Sequence, residues 1–122
     1  MRRKIALLTP YHSASEPHIR GFFDSVGYEI VRTKHLNVGG VVKIANVPEA
    51  TLRDAVKELA TDDVEAIVQF GANLPMGRVA AEAERWVRRP VIAVNTVVYW
   101  HALRTNGIDD KLQGFSRLLS EH

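Results

Sequence analysis

The sequence contains no cysteine among its 122 residues. This absence excludes a disulfide framework, a thiolate metal site and a cysteine nucleophile supplied by this chain. The sequence also lacks internal repeats, low-complexity stretches and a linker that would separate two domains. Because 122 residues fit one cooperative unit and not two, the expected organisation is a single domain over residues 1–122.

Long apolar runs and strong charge of one sign are missing as well. The apolar run at the amino end covers only residues 5–8, which is too short for a signal peptide core and fits a buried strand better. With 16 basic and 14 acidic residues, the formal net charge is only +2, and basic residues mostly alternate with acidic ones. We therefore expect a soluble, cytoplasmic protein with neither a nucleic-acid nor a membrane partner.

Apolar runs alternate with stretches of helical periodicity along the chain. Short apolar runs predict four strands, at residues 3–9, 28–31, 65–70 and 91–94. Apolar residues at helical spacing predict four helices, at residues 15–26, 47–60, 74–88 and 96–106. Residues 33–46 fit either a short helix or an irregular flap, and the tail from Asp109 has apolar residues at helical spacing and is expected to pack back on the body. The apolar residues of this tail are Leu112, Phe115, Leu118 and Leu119.

Strands that alternate with helices form right-handed crossovers and a mostly parallel sheet. The sequence therefore predicts an α/β fold: a doubly wound, flavodoxin-like domain with a four-stranded parallel sheet in the order 2-1-3-4. A flavodoxin-like phosphate loop normally contains glycine, whereas residues 9–15 contain none, so a flavin is only a distant alternative and no cofactor is expected. The five histidines show no recognised metal spacing, so no metal site is expected either.

Ligands of open parallel sheets gather beyond the carboxyl ends of the strands. Three predicted loops meet there, and each leads towards a helix whose amino end suits a carboxylate or a phosphate. The candidate binding residues in these loops are Thr9, Tyr11, Gly71, Ala72, Asn73, Leu74 and Asn95.

Motifs in the same loops resemble a known family. TPY at residues 9–11, GANL at 71–74 and VNTVVYWHALRTNGI at 94–108 are similar to motifs of maleate isomerases and arylmalonate decarboxylases, which belong to the aspartate/glutamate racemase superfamily. In that family two similar α/β halves face each other with the substrate between them. This chain resembles the carboxyl-terminal half only.

The resemblance implies a role for several of these residues. It makes Tyr11 the hydroxyl that binds a substrate carboxylate, and it places Asn73 and Leu74 in an amide-lined pocket. It also places Gly71 where the family carries a cysteine that acts as nucleophile or proton donor in its cofactor-free chemistry. The catalytic residues therefore stay unknown, because glycine cannot replace a thiolate.

Plainer interpretations of the same residues stay open. Tyr11 could be a surface aromatic residue, and Asn73 and Asn95 could be helix N-caps, a role compatible with ligand contact. Gly71 could serve only a tight turn that requires positive φ. The tryptophans Trp86 and Trp100 lie on predicted helices, where core or subunit contacts are expected before a stacking role.

Three functions are compatible with the sequence. The first is an enzyme that binds a small dicarboxylate or related acid and isomerises, racemises or decarboxylates it, with missing groups supplied by another polypeptide. The second is a non-catalytic anion-binding or interaction domain that has lost the cysteine, and the third is a truncated half of a longer enzyme. As partners we expect a small carboxylate ligand and either a second copy of the chain or a partner half-domain, because an isolated half would expose apolar surface.

Overall fold

A computed structural model describes residues 3–114 and 116–122. Its centre is a parallel sheet of four strands, and their spatial order is β2-β1-β3-β4. The strands are β1 Arg3–Thr9, β2 Tyr28–His35, β3 Ala66–Gln69 and β4 Val91–Ala93. The predicted α/β class and the predicted strand order 2-1-3-4 are both confirmed.

Six helices accompany the sheet in the described residues, besides a short 3-10 turn at Ser13–Ser15. They are α1 Glu16–Ser25, α2 Val41–Ala45, α3 Glu49–Leu59, α4 Gly77–Val87, α5 Val94–Thr105 and α6 Arg117–Glu121. No helix in this part of the chain is both long enough and apolar enough to cross a membrane.

Alternate side chains of β1 enter two separate apolar clusters. Ala6 and Leu8 join the larger cluster, which includes buried residues of α3 and α4, whereas Ile5 and Leu7 join a smaller cluster with Ile19 of α1. Because successive side chains of a strand point to opposite faces, these two clusters cover the two faces of the sheet. All five residues from Ile5 to Thr9 are buried, as expected for a central strand of a parallel sheet.

The second strand is longer than the sequence predicts. It continues through residues 32–35 although these alternate poorly in hydropathy, because their backbone pairs with β1 as far as Thr9. Beyond the strand, Leu36 N donates to Thr9 O at 2.9 Å and Val38 N donates to Pro10 O at 2.9 Å. Backbone pairing with the buried strand β1 therefore outweighs the weak strand pattern of residues 32–35. In the rest of residues 33–46 the only helix is the short α2.

The predicted ends of several helices are wrong by a few residues. Helix α4 begins at Gly77 and not at Leu74, because Leu74 N closes a turn onto Gly71 O at 3.2 Å. Helix α5 begins at Val94, directly after β4, and not at Thr96. The Val94 amide donates a hydrogen bond to the side chain of Gln69, which stabilises this earlier start. Helix α1 begins at Glu16 and not at residue 15, and the hydroxyl of Ser15 makes no capping hydrogen bond.

The tail packs on the body through part of its predicted helix. Only Arg117–Glu121 is helical, and within it Leu119 is buried, while Leu118 and Leu112 are half-buried. Leu112 N donates to Leu119 O at 2.9 Å, which folds the tail onto itself. Phe115, a further member of the predicted apolar set, lies outside the described residues.

Candidate functional site

The carboxyl ends of β1, β3 and β4 lie next to one another because the three strands are parallel neighbours in the sheet. The loops after β1 and β3 and the start of α5 therefore meet at one edge, as the sequence predicts. Six of the seven candidate residues belong to these segments, and the seventh, Thr9, is the last residue of β1. Their hydrogen bonds and contacts show how closely the segments are joined.

The loop after β1 is held rigidly. Thr9 is fully buried, and its hydroxyl accepts a hydrogen bond from the Tyr11 amide at 3.2 Å. Pro10 is also buried, and its carbonyl is bonded to Val38 as described above. Tyr11 is half-buried and contacts both apolar clusters, so the base of its ring is fixed. Thr9 thus positions Tyr11 and does not itself face solvent.

Gly71 lies directly against the loop after β1. Its φ of +123° is in the region that favours glycine, and a β-carbon added to it would lie 2.7 Å from Pro10 Cδ. The same β-carbon would lie 3.6 Å from Tyr11 Cζ. The structure therefore brings Tyr11 and Gly71 together, and the tight-turn interpretation of Gly71 describes its backbone correctly.

Asn95 at the start of α5 is hydrogen-bonded to the loop after β3. Its Nδ2 donates to Ala72 O at 2.8 Å, although the residue is exposed. Asn95 is the second residue of α5, whose N-cap is Ala93, and the N-cap of α4 is Met76. The interpretation of Asn73 and Asn95 as helix N-caps is therefore wrong.

The remaining two candidates of this loop differ in exposure. Asn73 is exposed at the tip of the turn, whereas Leu74 is fully buried in the larger cluster. Leu74 can therefore offer a ligand no side-chain contact without repacking the core. The common binding role of the seven residues stays a prediction.

Gln69 is a polar residue of this edge that the sequence analysis missed. It is the last residue of β3 and is 1% exposed. Its Nε2 donates to Gly71 O at 2.8 Å, and its Oε1 accepts from Val94 N at 3.2 Å. Gln69 thus connects the loop after β3 to the first residue of α5. The signal in the sequence is a lone amide that ends the apolar strand AIVQ.

Two cavities open on either side of the loop after β3. Asn95 lines a cavity of about 510 Å³ between the starts of α4 and α5, together with Pro75, Met76, Arg78, Thr96 and Tyr99. Tyr11 lines a cavity of about 390 Å³, together with Ala14, Ser15, His18, Ile19 and Phe70. Tyr11 and Asn95 therefore contact the same loop but face different cavities.

The described residues hold no group of three or more histidine, aspartate or glutamate side chains placed to bind a metal ion. Neither tryptophan lines the two cavities of this edge. Trp86 lies on α4, where its Nε1 donates to Glu82 at 3.4 Å and Lys57 Nζ lies 5.8 Å from its ring centre, and Trp100 lines a different cavity with Pro90 and Ile92. The hydrogen-bonding groups of the edge are the Tyr11 hydroxyl, the asparagines and the loop amides, and charged side chains, Glu49 and Arg78, line the cavity of Asn95.

This four-stranded parallel α/β sheet is the fold of solved maleate isomerases and arylmalonate decarboxylases. The sequence matches the arylmalonate decarboxylase family over residues 1–119, and the chain belongs to that family. No curated protein sequence matches it.

Solved structures confirm the fold. The maleate isomerase Iso from Pseudomonas putida S16 superposes with a TM-score of 0.90 at 23% identity, and this chain covers 48% of its length. A maleate cis-trans isomerase variant from Nocardia farcinica with a covalently bound succinylcysteine intermediate gives a TM-score of 0.91 at 23% identity, with 49% covered. An arylmalonate decarboxylase gives a TM-score of 0.87 at 27% identity, with 54% covered. In each case 98% of this chain is matched, so it spans about half the length of these proteins.

Proposed function

We propose that this chain binds a small dicarboxylate or an arylmalonate-like acid at the loops after β1, β3 and β4, as one half of a two-part active site. The observation that carries the proposal is the contact of three strand-end segments around one loop. Gly71 touches the loop of Tyr11, and Asn95 is bonded to Ala72. Membership of the arylmalonate decarboxylase family supports a carboxylic acid as the ligand.

The chemistry at this edge is that of anion stabilisation. A Tyr11 hydroxyl whose ring is held by packing can donate to a carboxylate without losing much side-chain freedom. The amino ends of α4 and α5 bring positive dipole ends to the same edge. Isomerisation, racemisation and decarboxylation of such acids all build up negative charge that fixed hydrogen-bond donors can stabilise.

The absence of cysteine limits what the chain can do by itself. Covalent catalysis by thiolate, or proton transfer from a thiol, must come from another polypeptide segment. That the chain covers about half of the solved relatives agrees with a missing second half, which would be a partner chain or the remainder of a longer protein. A neighbouring reading frame that encodes a half with a cysteine would support this arrangement.

A specific observation favours a second candidate, a non-catalytic binding domain. At Gly71 the backbone is left-handed, and Pro10 already occupies the space that a side chain would need. The edge is therefore packed around a glycine and holds no room for a thiol at that position. In this alternative the anion site persists and turnover does not.

Ligand-dependent thermal stability tests the proposal. We expect maleate or phenylmalonate at millimolar concentration to raise the melting temperature of the chain by a few degrees, since a ligand bound only to the native state stabilises it. Tyr11→Phe should reduce the rise, whereas Tyr28→Phe, which removes a hydroxyl at the amino end of β2, should not. Activity assays on the same acids then separate the two candidates, because binding without turnover selects the binding domain.

Three results would each contradict part of this proposal. No stabilisation by any of these acids at concentrations that stabilise a solved relative would overturn carboxylate binding. An equal response of Tyr11→Phe and wild type would remove Tyr11 from the site. Turnover by the isolated chain would contradict the requirement for a second half.

A further inference from the structure

A separate cavity lies at the carboxyl end of α4, against α6. Its volume is about 500 Å³. The residues that line it and carry polar side chains are Glu84, Arg85, Arg88, Gln113, Ser116, Arg117 and Ser120. It borders the start of β4, where Glu84 meets Val91, so it lies at the opposite end of that strand from the loops of the proposed carboxylate site.

Three arginines and one carboxylate set the charge of this cavity. The carboxylate belongs to Glu84, which is buried and already bonded twice: Oε2 accepts from Val91 N at 3.1 Å and Oε1 accepts from Arg117 N at 3.0 Å. Within residues 3–114 and 116–122, none of the side chains of Arg85, Arg88 and Arg117 forms a salt bridge. The cavity therefore has an excess of positive charge in a protein whose formal net charge is only +2.

Helix electrostatics explain only part of this cluster. Arg85 lies in the last turn of α4, where a cation is stabilised by the helix dipole. Arg117, in contrast, is the first residue of α6, where a cation gains nothing from the dipole. Arg88 follows α4 with a φ of +56°, a left-handed position that glycine or asparagine fills more easily. Two of the three arginines thus occupy positions that local structure does not favour.

Hydroxyl groups complete a set of donors around the cavity. Ser116 and Ser120 are half-buried and four residues apart, and Ser120 N donates to Ser116 O at 3.1 Å, so both lie on one side of α6. Guanidinium groups bind phosphate oxygens with two parallel hydrogen bonds, which lysine cannot do. Donors and positive charge from two helices therefore surround a space large enough for a compact, multiply charged anion.

We infer that this cavity binds a small anion with adjacent negative charges, of the diphosphate or phosphate-ester class. Arg85, Arg88 and Arg117 hold the phosphate oxygens, and the two serines donate further hydrogen bonds. Glu84 does not repel the ligand strongly, because both of its oxygens already accept backbone amides. The ligand class and the location are independent of the carboxylate site proposed above.

Calorimetric titration with inorganic pyrophosphate tests this site. We expect saturable binding of one ion per chain at low salt, and clearly weaker binding at about 0.3 M salt, where exposed charges are screened. Inorganic phosphate should bind more weakly than pyrophosphate, and citrate serves as a carboxylate anion of similar charge. Preferential binding of pyrophosphate over citrate is the result expected for arginine recognition of phosphate.

The sharpest variant is Arg88→Gly. Because glycine suits the left-handed conformation at this position, the variant should be at least as stable as wild type, while its affinity for pyrophosphate should fall by about threefold or more. Combined replacement of Arg85 and Arg117 by glutamine should weaken binding roughly tenfold. The Arg117 backbone amide still reaches Glu84 in that variant. Lys43→Gln, which removes the same charge from the exposed side of α2, is the matched control and should bind like wild type.

Several results would overturn the inference. These are no saturable binding of pyrophosphate at low salt, equal losses in Lys43→Gln and in the arginine variants, or citrate binding as tight as pyrophosphate binding. Tyr11→Phe should leave pyrophosphate binding intact. If Tyr11→Phe lost pyrophosphate binding, the anion would be bound at the strand-end loops and not at the arginines.

Discussion

Gly71 shows at the scale of one residue how backbone conformation limits chemistry. Its φ of +123° is unfavourable for any residue with a side chain, and its Cα faces the ring of Pro10. Each constraint by itself would strain a side chain at this position. The loops after β1 and β3 therefore pack this closely only because residue 71 has no side chain.

We predict that Gly71→Cys destabilises the protein and creates no strong maleate isomerase activity. Strain at positive φ and the close approach to Pro10 should lower the free energy of unfolding by about 1–3 kcal/mol. Catalysis should not follow, because groups that act together across two halves are not replaced by one of them. Urea unfolding and a maleate assay measure the two effects.

Gly107→Cys is the matched control for this substitution. Gly107 also has positive φ, at +74°, but no atom lies within 4 Å of an added β-carbon. The difference between the two variants therefore reports the contact with Pro10 together with the greater distance of the Gly71 φ from the αL region. Equal stability of both variants, or vigorous isomerisation by Gly71→Cys, would contradict the prediction.

Other residues of the site show what the sequence can and cannot predict. Tyr11, Gly71 and Asn95 could be placed at one edge because each follows a recognisable apolar strand. The role of Gln69 could not, because a glutamine at a strand end could equally face water, and only the folded loop shows which backbone groups it must satisfy. That Tyr11 and Asn95 face different cavities also depends on side-chain directions that residue spacing does not fix.

At the scale of elements, helices α3 and α4 pack side by side and their solvent-facing edges are joined by one ion pair. Arg53 donates to both oxygens of Glu82, with Nε at 2.9 Å and Nη2 at 3.2 Å. The hydrogen bonds from Arg53 hold the pKa of Glu82 below the ordinary glutamate value of 4.5; desolvation opposes them less strongly, and a weaker contribution from the Trp86 hydrogen bond also lowers the pKa. The amphipathic pattern predicts both helices, but not this contact between them.

We predict that part of the stability of the α3 and α4 pair is lost in acid. A carboxylate whose pKa is lowered by folding stabilises the native state above its unfolded pKa, and this stabilisation disappears as the pH falls through the lower folded pKa. The urea midpoint of wild type should therefore fall more between about pH 6 and about pH 3 than that of Glu82→Gln. Since both side chains are partly exposed, the effect is modest and weakens with salt.

Glu121→Gln is the control for Glu82→Gln, because it removes a carboxylate from the exposed end of α6. It should keep the acid dependence of wild type. If Glu82→Gln and wild type lose stability in parallel over this range, the ion pair does not link folding to pH.

Element boundaries were the weakest part of the sequence prediction, for identifiable reasons. The second strand extends through residue 35 because β1 offers it backbone partners, and hydropathy does not record those. Helix α4 starts three residues later than predicted because the segment from residue 71 forms a turn first. In both cases hydrogen bonds to distant or neighbouring backbone groups decide the boundary.

At the scale of the whole molecule, the order of strands follows from alternation and crossover handedness and could be predicted. The exposed apolar residues could be predicted only in part. Val98 and Tyr99 of α5 are 60% and 52% exposed, and Val41 and Val42 of α2 are 64% and 71% exposed. Helices α5 and α2 thus present apolar side chains to solvent.

We predict that the chain self-associates as a symmetric dimer through α5 or α2. Sedimentation equilibrium at micromolar concentration should give a dimer mass, since a second copy of the chain can bury the exposed apolar residues of the first. Val98→Asp should shift the equilibrium towards monomer if α5 carries the contact, and Val42→Asp should do so if α2 does.

Val26→Asp supplies the comparison for these variants. Val26 is 54% exposed and follows α1, away from both regions. A monomer across the micromolar range for wild type would remove the dimer and favour an autonomous binding domain. Equal weakening by Val26→Asp and the other two variants would show that charge, and not contact, causes the effect.

The position of Glu84 has a practical consequence for handling the protein. One carboxylate accepts the first amide of β4 and the first amide of α6, so the fourth strand and the tail share a single acceptor. A deletion that removes α6 would take away one of these donors and the buried Leu119 as well, leaving the carboxylate half-solvated beside the sheet. Tags and fusion partners are therefore better attached after a complete α6 than in place of it.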